Sequence, residues 1–292
     1  MNIFSGLEGI VEKDVPLAPF TWYGLGGNAD YFIRPKTMEQ LSQAAKQCSE
    51  NGVNIYVLGF GSNLLIRDEG VRGAVIKLEG QCFCEKKFQG ELLTVGAGEN
   101  VGKLVLDCVR KELSGLEALT GIPGSVGGAV RMNAGGSFGD IGGSVESVTL
   151  MDKFGNIYEK CKPELVFDYR TVNITAKFVL GAKIKLTRSE PDTILRTVKE
   201  IWIYKKNSQP LNTKSAGCVF KNPRGLSSGA LIDRAGLKGL SIGGAAVSDK
   251  HANFIVANKG CKASDVEKLI GTIKQRVKEK FGVELELEIE IW

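Results

Sequence analysis

The chain has 292 residues, including 37 glycines and 8 prolines; 43% are hydrophobic, 24% are charged, and the formal net charge is +5. Glycine at about 13%, against a background near 7%, has no G-X-Y period and so excludes collagen; the low proline count excludes a Pro/Gly-rich disordered chain. The single histidine, His251, excludes multi-histidine metal centres, and the length suggests about two domains.

In chain order, the first helix follows Thr37. Thr37-x-x-Gln40 is a capping box, and Leu41, Ala44, Ala45 and Cys48 recur on one face before Asn51-Gly52 stops the helix. Strands are predicted at Asn54 to Leu58, Gly73 to Leu78 and Leu92 to Ala97. A second helix begins near Asn100, with Val101, Leu104, Val105 and Cys108 inward. Residues 121–143, GIPGSVGGAVRMNAGGSFGDIGG, show little helical or alternating periodicity. Strands resume at Val145 to Met151, Asn156 to Lys160 and Phe178 to Thr187. The polar, proline-bearing stretch Arg188 to Asp192 is the predicted linker. Beyond it come an amphipathic helix, Thr193 to Lys206, and a shorter one, Ser228 to Ala235, closed by Gly236. A last helix opens on a Ser264-x-x-Glu267 capping box, and an alternating strand, Val283 to Ile291, ends the chain.

Lysine and arginine are spread along the chain rather than gathered into the stripe that nucleic-acid binders use, although a mild positive field suits an anionic small molecule. The seven cysteines are irregularly spaced, and Cys82-x-Cys84 lacks the second pair of a zinc site, so no metal is expected. No stretch approaches the ~18 apolar residues of a membrane span. The segment Met1 to Pro16 has no basic start followed by an apolar core, so a cytoplasmic protein with reduced thiols is expected.

Three glycine clusters nearly match a dinucleotide fingerprint. Gly24-Leu25-Gly26, Gly59-Phe60-Gly61 and Gly96-Ala97-Gly98 carry Ala29, Leu64 and Val101 where the third glycine belongs. No G-x-x-x-x-G-K-[ST] occurs, which excludes a P-loop. The glycine loops read either as ordinary turns or as backbone nests for a diphosphate, with Ser62 and Asn63 adding side-chain donors to the Gly59 loop.

These segments resemble one family. Gly59 to Leu65 resembles the first flavin-binding loop of the UDP-N-acetylenolpyruvoylglucosamine reductases, and Gly121 to Ala129 with Met132 to Gly135 resembles the second. Ser215 to Pro223 is similar to the family's proton-donor motif, and Ser248 to Phe254 to another family segment. The resemblance runs from about Thr21 to the C-terminus, and the short segment between Lys153 and Lys185 is more similar to the shorter, type II form.

The resemblance implies an α+β fold with an FAD-binding module of the vanillyl-alcohol-oxidase / p-cresol-methylhydroxylase type. Its two subdomains would span residues 1–78 and 79–190, with a substrate-binding subdomain at 191–292. It implies non-covalent FAD, NADPH as hydride donor, and reduction of the enolpyruvyl ether of UDP-N-acetylglucosamine enolpyruvate to UDP-N-acetylmuramate. This is a step of peptidoglycan precursor synthesis in the bacterial cytoplasm. The implied cofactor residues are Gly59, Gly61, Ser62, Asn63, Gly124, Ser125, Gly128, Asn133 and Gly135. Arg170 would clamp the substrate carboxylate, and Cys218, where the family usually has serine, would donate the proton. Glu288 aligns with the catalytic glutamate, with Glu286 as the alternative because Leu287 replaces the usual proline. Substrate contacts map to Tyr169, Asn222 and Lys206, with Lys205 an equal alternative, and His251 reads as structural or as supporting another residue. Two other readings remain at this stage: a related FAD-dependent oxidase or dehydrogenase with a different substrate, and a non-catalytic nucleotide or nucleic-acid binder.

Overall fold

The computed structural model describes residues 3–292; residues 1 and 2, where the expected first subdomain begins, lie outside the described residues. Two compact units are present. The first comprises residues up to Asp14, Asp30–Phe60 and Arg72–Tyr204; the second comprises Val15–Ala29, Gly61–Val71 and Lys205–Trp292.

Two sheets of four and five strands dominate the first unit, beside three two-stranded pairs. One has the strand order Val11–Pro16, Asn28–Ile33, Val71–Lys77, Ile55–Leu58, and its last two strands run parallel. The connection between these two parallel strands is residues 59–70, which carry the short strand Leu64–Leu65. The helix Met38–Glu50 precedes Ile55–Leu58, with Thr37 Oγ1 accepting from the Gln40 N–H at 3.3 Å. The other arm of the expected box reaches one residue further back, as Gln40 Oε1 accepts from the Lys36 N–H at 2.8 Å. Leu41, Ala44, Ala45 and Cys48 form its buried face, as their spacing predicts. The second sheet has five strands in the order Ile157–Cys161, Val145–Met151, Phe178–Lys185, Leu92–Gly96, Lys86–Gln89, every neighbour antiparallel. The helix Val101–Arg110 follows this sheet's Leu92–Gly96 strand, capped by Asn100 Oδ1 on the Lys103 N–H at 2.9 Å.

The second unit packs the helices Ser228–Arg234 and Ala263–Phe281 with a three-stranded sheet of Ser241–Ile242, Ala245–Val247 and Ile255–Ala257. Val266, Leu269, Ile270, Ile273 and Val277 of the long helix are buried. Fully burying such side chains contributes about 1.5–3 kcal/mol each, against about 1 kcal/mol for a cap. Packing therefore holds this helix, and the cap decides where it starts.

That start corrects the sequence expectation. The helix begins at Ala263 rather than after Ser264, and Asp265 closes the turn by accepting from the Lys262 N–H at 3.1 Å. Asp68 serves the next two donors, accepting from the Ala263 and Ser264 N–H groups at 2.8 and 3.0 Å. Burial acts to raise the Asp68 pKa, but these N–H donors and Lys262 outweigh it and hold the carboxyl below its ordinary range.

Three further expectations change. Residues Val126–Arg131 form a short helix inside the glycine-rich stretch, because Ser125 caps it and Val126, Ala129 and Val130 are buried. The predicted linker contributes the start of the next helix, Pro191–Ser208, since proline is tolerated in a first turn; the compact units divide at Tyr204/Lys205. The terminal segment alternates in burial as predicted, yet only Glu290–Ile291 forms a strand, parallel to Leu64–Leu65, and Leu287 makes a single bridge to Phe220.

His251 lies in the second unit with its Nδ1 accepting from the Asn253 N–H at 3.2 Å and its ring edge-on to Phe254 at 4.9 Å. Burial, and then the Lys238 charge, lower its pKa from 6.5. A depressed histidine means that the unfolded chain binds the proton more readily, so stability is full above about pH 6.5 and is lost as pH falls through the folded pKa. The imidazole resonance should therefore titrate below 6.5, and His251→Gln should remove that part of the pH dependence of urea unfolding; a midpoint above 6.5 would contradict this. Asp68→Ala should lower the unfolding free energy by about 1 kcal/mol, and an unchanged urea midpoint would show that the cap contributes nothing.

Candidate active site

One cleft of the first unit, about 550 Å³ including its open mouth, is lined by Val57 to Phe60, Lys77, Leu78, Ala97, Gly98, Ser125, Gly127, Gly128, Arg131, Lys177 and Val179. Four of its lining residues are glycines, and at three of them a side chain would collide with a neighbour in the fold. A Cβ on Gly59 would stand 2.7 Å from Ser125 Oγ, and one on Gly127 would stand 2.8 Å from the Ala97 Cβ. Ser125 Oγ accepts from the Gly128 N–H at 3.3 Å, and the Gly124 carbonyl accepts from the Val101 N–H at 3.1 Å. Of the expected cofactor residues, Gly59, Ser125 and Gly128 thus line one cleft, with Gly124 directly behind it.

The charge of the cleft comes from residues the sequence reading did not single out. Lys77, Arg131 and Lys177 line it, and no acidic residue is among its lining residues. Arg131 donates to the Ile174 and Ala176 carbonyls at 2.8 and 2.6 Å, which fixes the strip that carries Lys177. Burial, and then the Arg131 charge, lower the Lys177 pKa. These three cations lie far apart in sequence, so no local motif announces them. A cleft lined in part by glycines and flanked by cations fits a flavin dinucleotide, whose diphosphate is anionic.

A second group gathers in the same unit. Phe167–Asp168 and Thr171–Val172 form a hairpin with Tyr169 and Arg170 as its two turn residues. Arg170 adopts φ +58° and donates through Nη2 to the Gly135 carbonyl at 2.8 Å, its guanidinium lying 5.1 Å from the Tyr169 ring centre. Gly135 pairs with Asp140. Asn133 is buried and uses its side chain within this group, donating to the Asp168 carbonyl at 2.9 Å and accepting from the Gly142 N–H at 3.0 Å.

The other expected residues lie in the second unit. Gly61 takes φ +64°, and a Cβ there would stand 2.1 Å from the Phe20 carbonyl oxygen, so only glycine fits. Ser62 is half-buried beside it. Asn63 donates through Nδ2 to the Glu288 carbonyl at 3.1 Å, and its own carbonyl accepts from the Glu290 N–H at 2.9 Å. The segment carrying Cys218 runs between two neighbours. Cys218 bridges to Phe254, the Val219 carbonyl accepts from the Glu288 N–H at 2.8 Å, and the Lys221 N–H donates to the Glu286 carbonyl at 2.9 Å. Glu288 is half-buried, whereas Glu286 is exposed and its carboxylate lies 3.8 Å from the Lys221 ammonium.

Asn253 grips this segment. It is 3% exposed, accepts from the Phe220 N–H at 2.9 Å and donates to the Phe220 carbonyl at 2.7 Å, and its carbonyl accepts from the Val219 N–H at 2.8 Å. Sequence reading placed Asn253 in a family segment without giving it a role; only the fold shows what its amide bonds to. Asn222 is exposed and accepts through Oδ1 from the Ser228 N–H at 3.0 Å. Lys205 is 6% exposed, while Lys206 is exposed and its carbonyl accepts from the Lys250 ammonium at 2.5 Å. No disulfide joins the described cysteines, and among the described residues no cluster of three or more His, Cys, Asp or Glu side chains is placed to hold a metal. No helix of the described residues is long and apolar enough to cross a membrane.

A family profile described as the UDP-N-acetylenolpyruvoylglucosamine reductase C-terminal domain matches residues 209–292, and one described as an FAD binding domain matches residues 29–159. The chain is 39% identical to the UDP-N-acetylenolpyruvoylglucosamine reductase of Lachnoclostridium phytofermentans, over 99% of this chain and 96% of that protein. It is 40% identical to the enzyme of that name from Bacillus licheniformis, over 97% and 94% of the two chains. The crystal structure of UDP-N-acetylenolpyruvylglucosamine reductase from Thermus caldophilus aligns with a TM-score of 0.84 at 41% identity, covering 97% of this chain and 98% of that one. The fold is therefore of the expected α+β type, with an FAD binding domain followed by the C-terminal domain of the reductase family. With near-complete coverage at about 40% identity, the chain belongs to the UDP-N-acetylenolpyruvoylglucosamine reductase family.

Proposed function

We propose that this FAD-dependent oxidoreductase uses NADPH to reduce UDP-N-acetylglucosamine enolpyruvate to UDP-N-acetylmuramate in the cytoplasm, for peptidoglycan synthesis. The observation that carries the reading is the glycine-bearing cleft with Lys77, Arg131 and Lys177 on its lining and no carboxylate among the lining residues, in a chain of this family. FAD, when bound there, supplies hydride carriage from NADPH to the enolpyruvyl double bond. The competing readings, a flavoenzyme of different substrate or a nucleic-acid binder, have no comparable support.

The residues of the chain supply position and charge. Gly59, Ser125 and Gly128 would hold the cofactor along the cleft, and Lys177 would offset its diphosphate charge, the Lys77 ammonium being paired with Glu79. Gly61, Ser62, Asn63, Gly124 and Gly135 complete the proposed cofactor set, to which Asn133 adds only its main chain, its side-chain amide being bonded to the Asp168 carbonyl and the Gly142 N–H. Arg170 pairs with the substrate carboxylate, where a permanently charged planar fork suits a group that takes up negative charge as the double bond is reduced. Cys218 holds the proton at Sγ for the carbon next to that carboxylate; a thiol is a stronger acid than the hydroxyl of serine. Glu288 is preferred to Glu286 because its backbone is bonded beside Val219, the residue after Cys218, while Glu286 faces solvent and Lys221. Tyr169, Asn222 and Lys206 are the proposed substrate contacts, and the burial of Lys205 favours its exposed neighbour.

We also propose the division into residues 1–78, 79–190 and 191–292. The two separate sheets of the first unit support the first boundary, and the C-terminal family match starting at 209 supports a distinct third part. Seven cysteines without a disulfide agree with a reducing compartment.

Purified protein should be yellow and should convert the enolpyruvyl sugar to UDP-N-acetylmuramate with NADPH; a chain that cannot be reconstituted with FAD refutes the reading. In anaerobic half-reactions, Cys218→Ala should accept reducing equivalents from NADPH at the parent rate. Its oxidation by the enolpyruvyl sugar should slow by about a hundredfold, with Cys218→Ser largely active. Equal loss in both halves would remove the assigned role. Lys177→Met should weaken FAD binding about fivefold at low salt, with the difference shrinking as salt rises. Fluorescence titration of the apoprotein measures this, and an unchanged affinity would take Lys177 out of the cofactor set.

A further inference from the structure

We propose that Asn133 is a positioning residue for Arg170, holding the hairpin that presents the guanidinium rather than serving the cofactor through its side chain. The inference rests on the assignment of Arg170 to the substrate carboxylate. It starts from where the Asn133 amide is spent. The residue is 2% exposed and sits at φ +42°, a conformation that asparagine tolerates better than most residues. Its Nδ2 donates to the carbonyl of Asp168 at 2.9 Å, and its Oδ1 accepts from the N–H of Gly142 at 3.0 Å. One side chain therefore ties the last residue before the Tyr169-Arg170 turn to the backbone at Gly142.

The grip leaves little room to shift. A Cβ on Gly142 would stand 2.5 Å from Phe167 Cγ and 2.8 Å from Asn133 Oδ1, so the hairpin, the Asn133 amide and Gly142 meet where only glycine fits. The loop that carries Asn133 closes the arrangement from the other side, because Gly135, two residues on, accepts from Arg170 Nη2 at 2.8 Å. Both the backbone before Arg170 and the tip of its side chain are thus referred to one short stretch, Asn133 to Gly135. Arg170 itself holds a left-handed φ of +58° as the second residue of its turn, a position where positive φ normally calls for glycine and which needs a braced hairpin to persist. A buried amide bonded on both sides provides such bracing, and removing the bond to Gly142 strands a buried N–H. A displacement of about 1 Å in a group that meets the reacting substrate costs about a hundredfold in rate.

The test uses the full-length FAD-loaded enzyme and its two half-reactions. Asn133→Gly keeps the positive φ and loses both bonds; Asn133→Asp keeps an acceptor for Gly142 but sets an ionised oxygen against the Asp168 carbonyl. Both variants should bind FAD with parent affinity and accept reducing equivalents from NADPH at the parent rate. Oxidation by the enolpyruvyl sugar should slow by about a hundredfold. Asn133→Asp should recover as pH falls through its carboxyl pKa and the donor returns, which a loss of folding would not do; this arm decides the matter if Asn133→Gly does not fold. Arg170→Lys should fail in the same half-reaction, and adding Asn133→Gly to it should cost no more. Weakened FAD affinity with normal oxidation by the sugar would make Asn133 a cofactor ligand and overturn the proposal. Additive losses in the double variant, or normal Asn133 variants beside an impaired Arg170→Lys, would also overturn it. An unimpaired Arg170→Lys would instead refute the role of Arg170, and the proposal with it.

Discussion

The first unit hangs on a strip of four residues, Gly96 to Glu99, that bonds to neighbours on every side. The Gly96 and Gly98 N–H groups donate to the Glu85 and Phe83 carbonyls at 2.8 and 2.7 Å, and the Ala97 N–H donates to the Leu180 carbonyl at 2.9 Å. In return the Ala97 and Glu99 carbonyls accept from the Gly127 and Val126 N–H groups at 2.8 and 2.9 Å. The strip therefore joins the end of a central strand to the short helix that begins at Val126. Such traffic needs backbones in contact: a Cβ on Gly98 would stand 2.2 Å from the Leu78 carbonyl oxygen, and one on Gly96 2.2 Å from that of Phe83. Here glycine is a steric requirement, and the cleft wall formed by Ala97, Gly98, Gly127 and Gly128 follows from it.

The second unit solves a similar problem with a side chain. The segment around Cys218 is too irregular to be held by a long ladder; it makes isolated bridges to Phe254 and Leu287. Asn253 supplies what the ladder lacks, satisfying both backbone groups of Phe220 from inside the core. A buried amide has donor and acceptor in fixed relation, so it substitutes for a missing strand partner and specifies one arrangement. Asn133 plays an analogous part in the first unit. In both cases the polar group is buried because it replaces backbone pairing that the loop geometry does not allow.

Elements whose cause is local were legible in advance. Thr37 and Asn100 cap their helices through bonds to residues three positions on, and the buried faces of both helices follow from the 3.6-residue period. Elements whose cause is remote were displaced or missed. The last helix starts earlier than its Ser264 box suggests because Asp68, some two hundred residues earlier in the chain, reaches its first turn. The alternating C-terminal segment keeps its in-out pattern but forms little strand, because alternation reports burial, whereas a strand also needs a partner along its length.

For the site, the chain order of motifs was enough to indicate the family, and the glycine surplus was enough to argue for backbone-lined loops and against a dinucleotide fingerprint. Those properties are carried by residues that are neighbours in sequence, so a linear reading reaches them. The tertiary structure alone decided that Lys77, Arg131 and Lys177 share one cleft, that Asn133 and Asn253 spend their amides on the protein, and that Glu288 rather than Glu286 is half-buried. Each of these is a meeting of residues whose separation along the chain carries no periodic signal. Charge, desolvation and hydrogen-bond satisfaction depend on distance in space, and only the fold sets that distance.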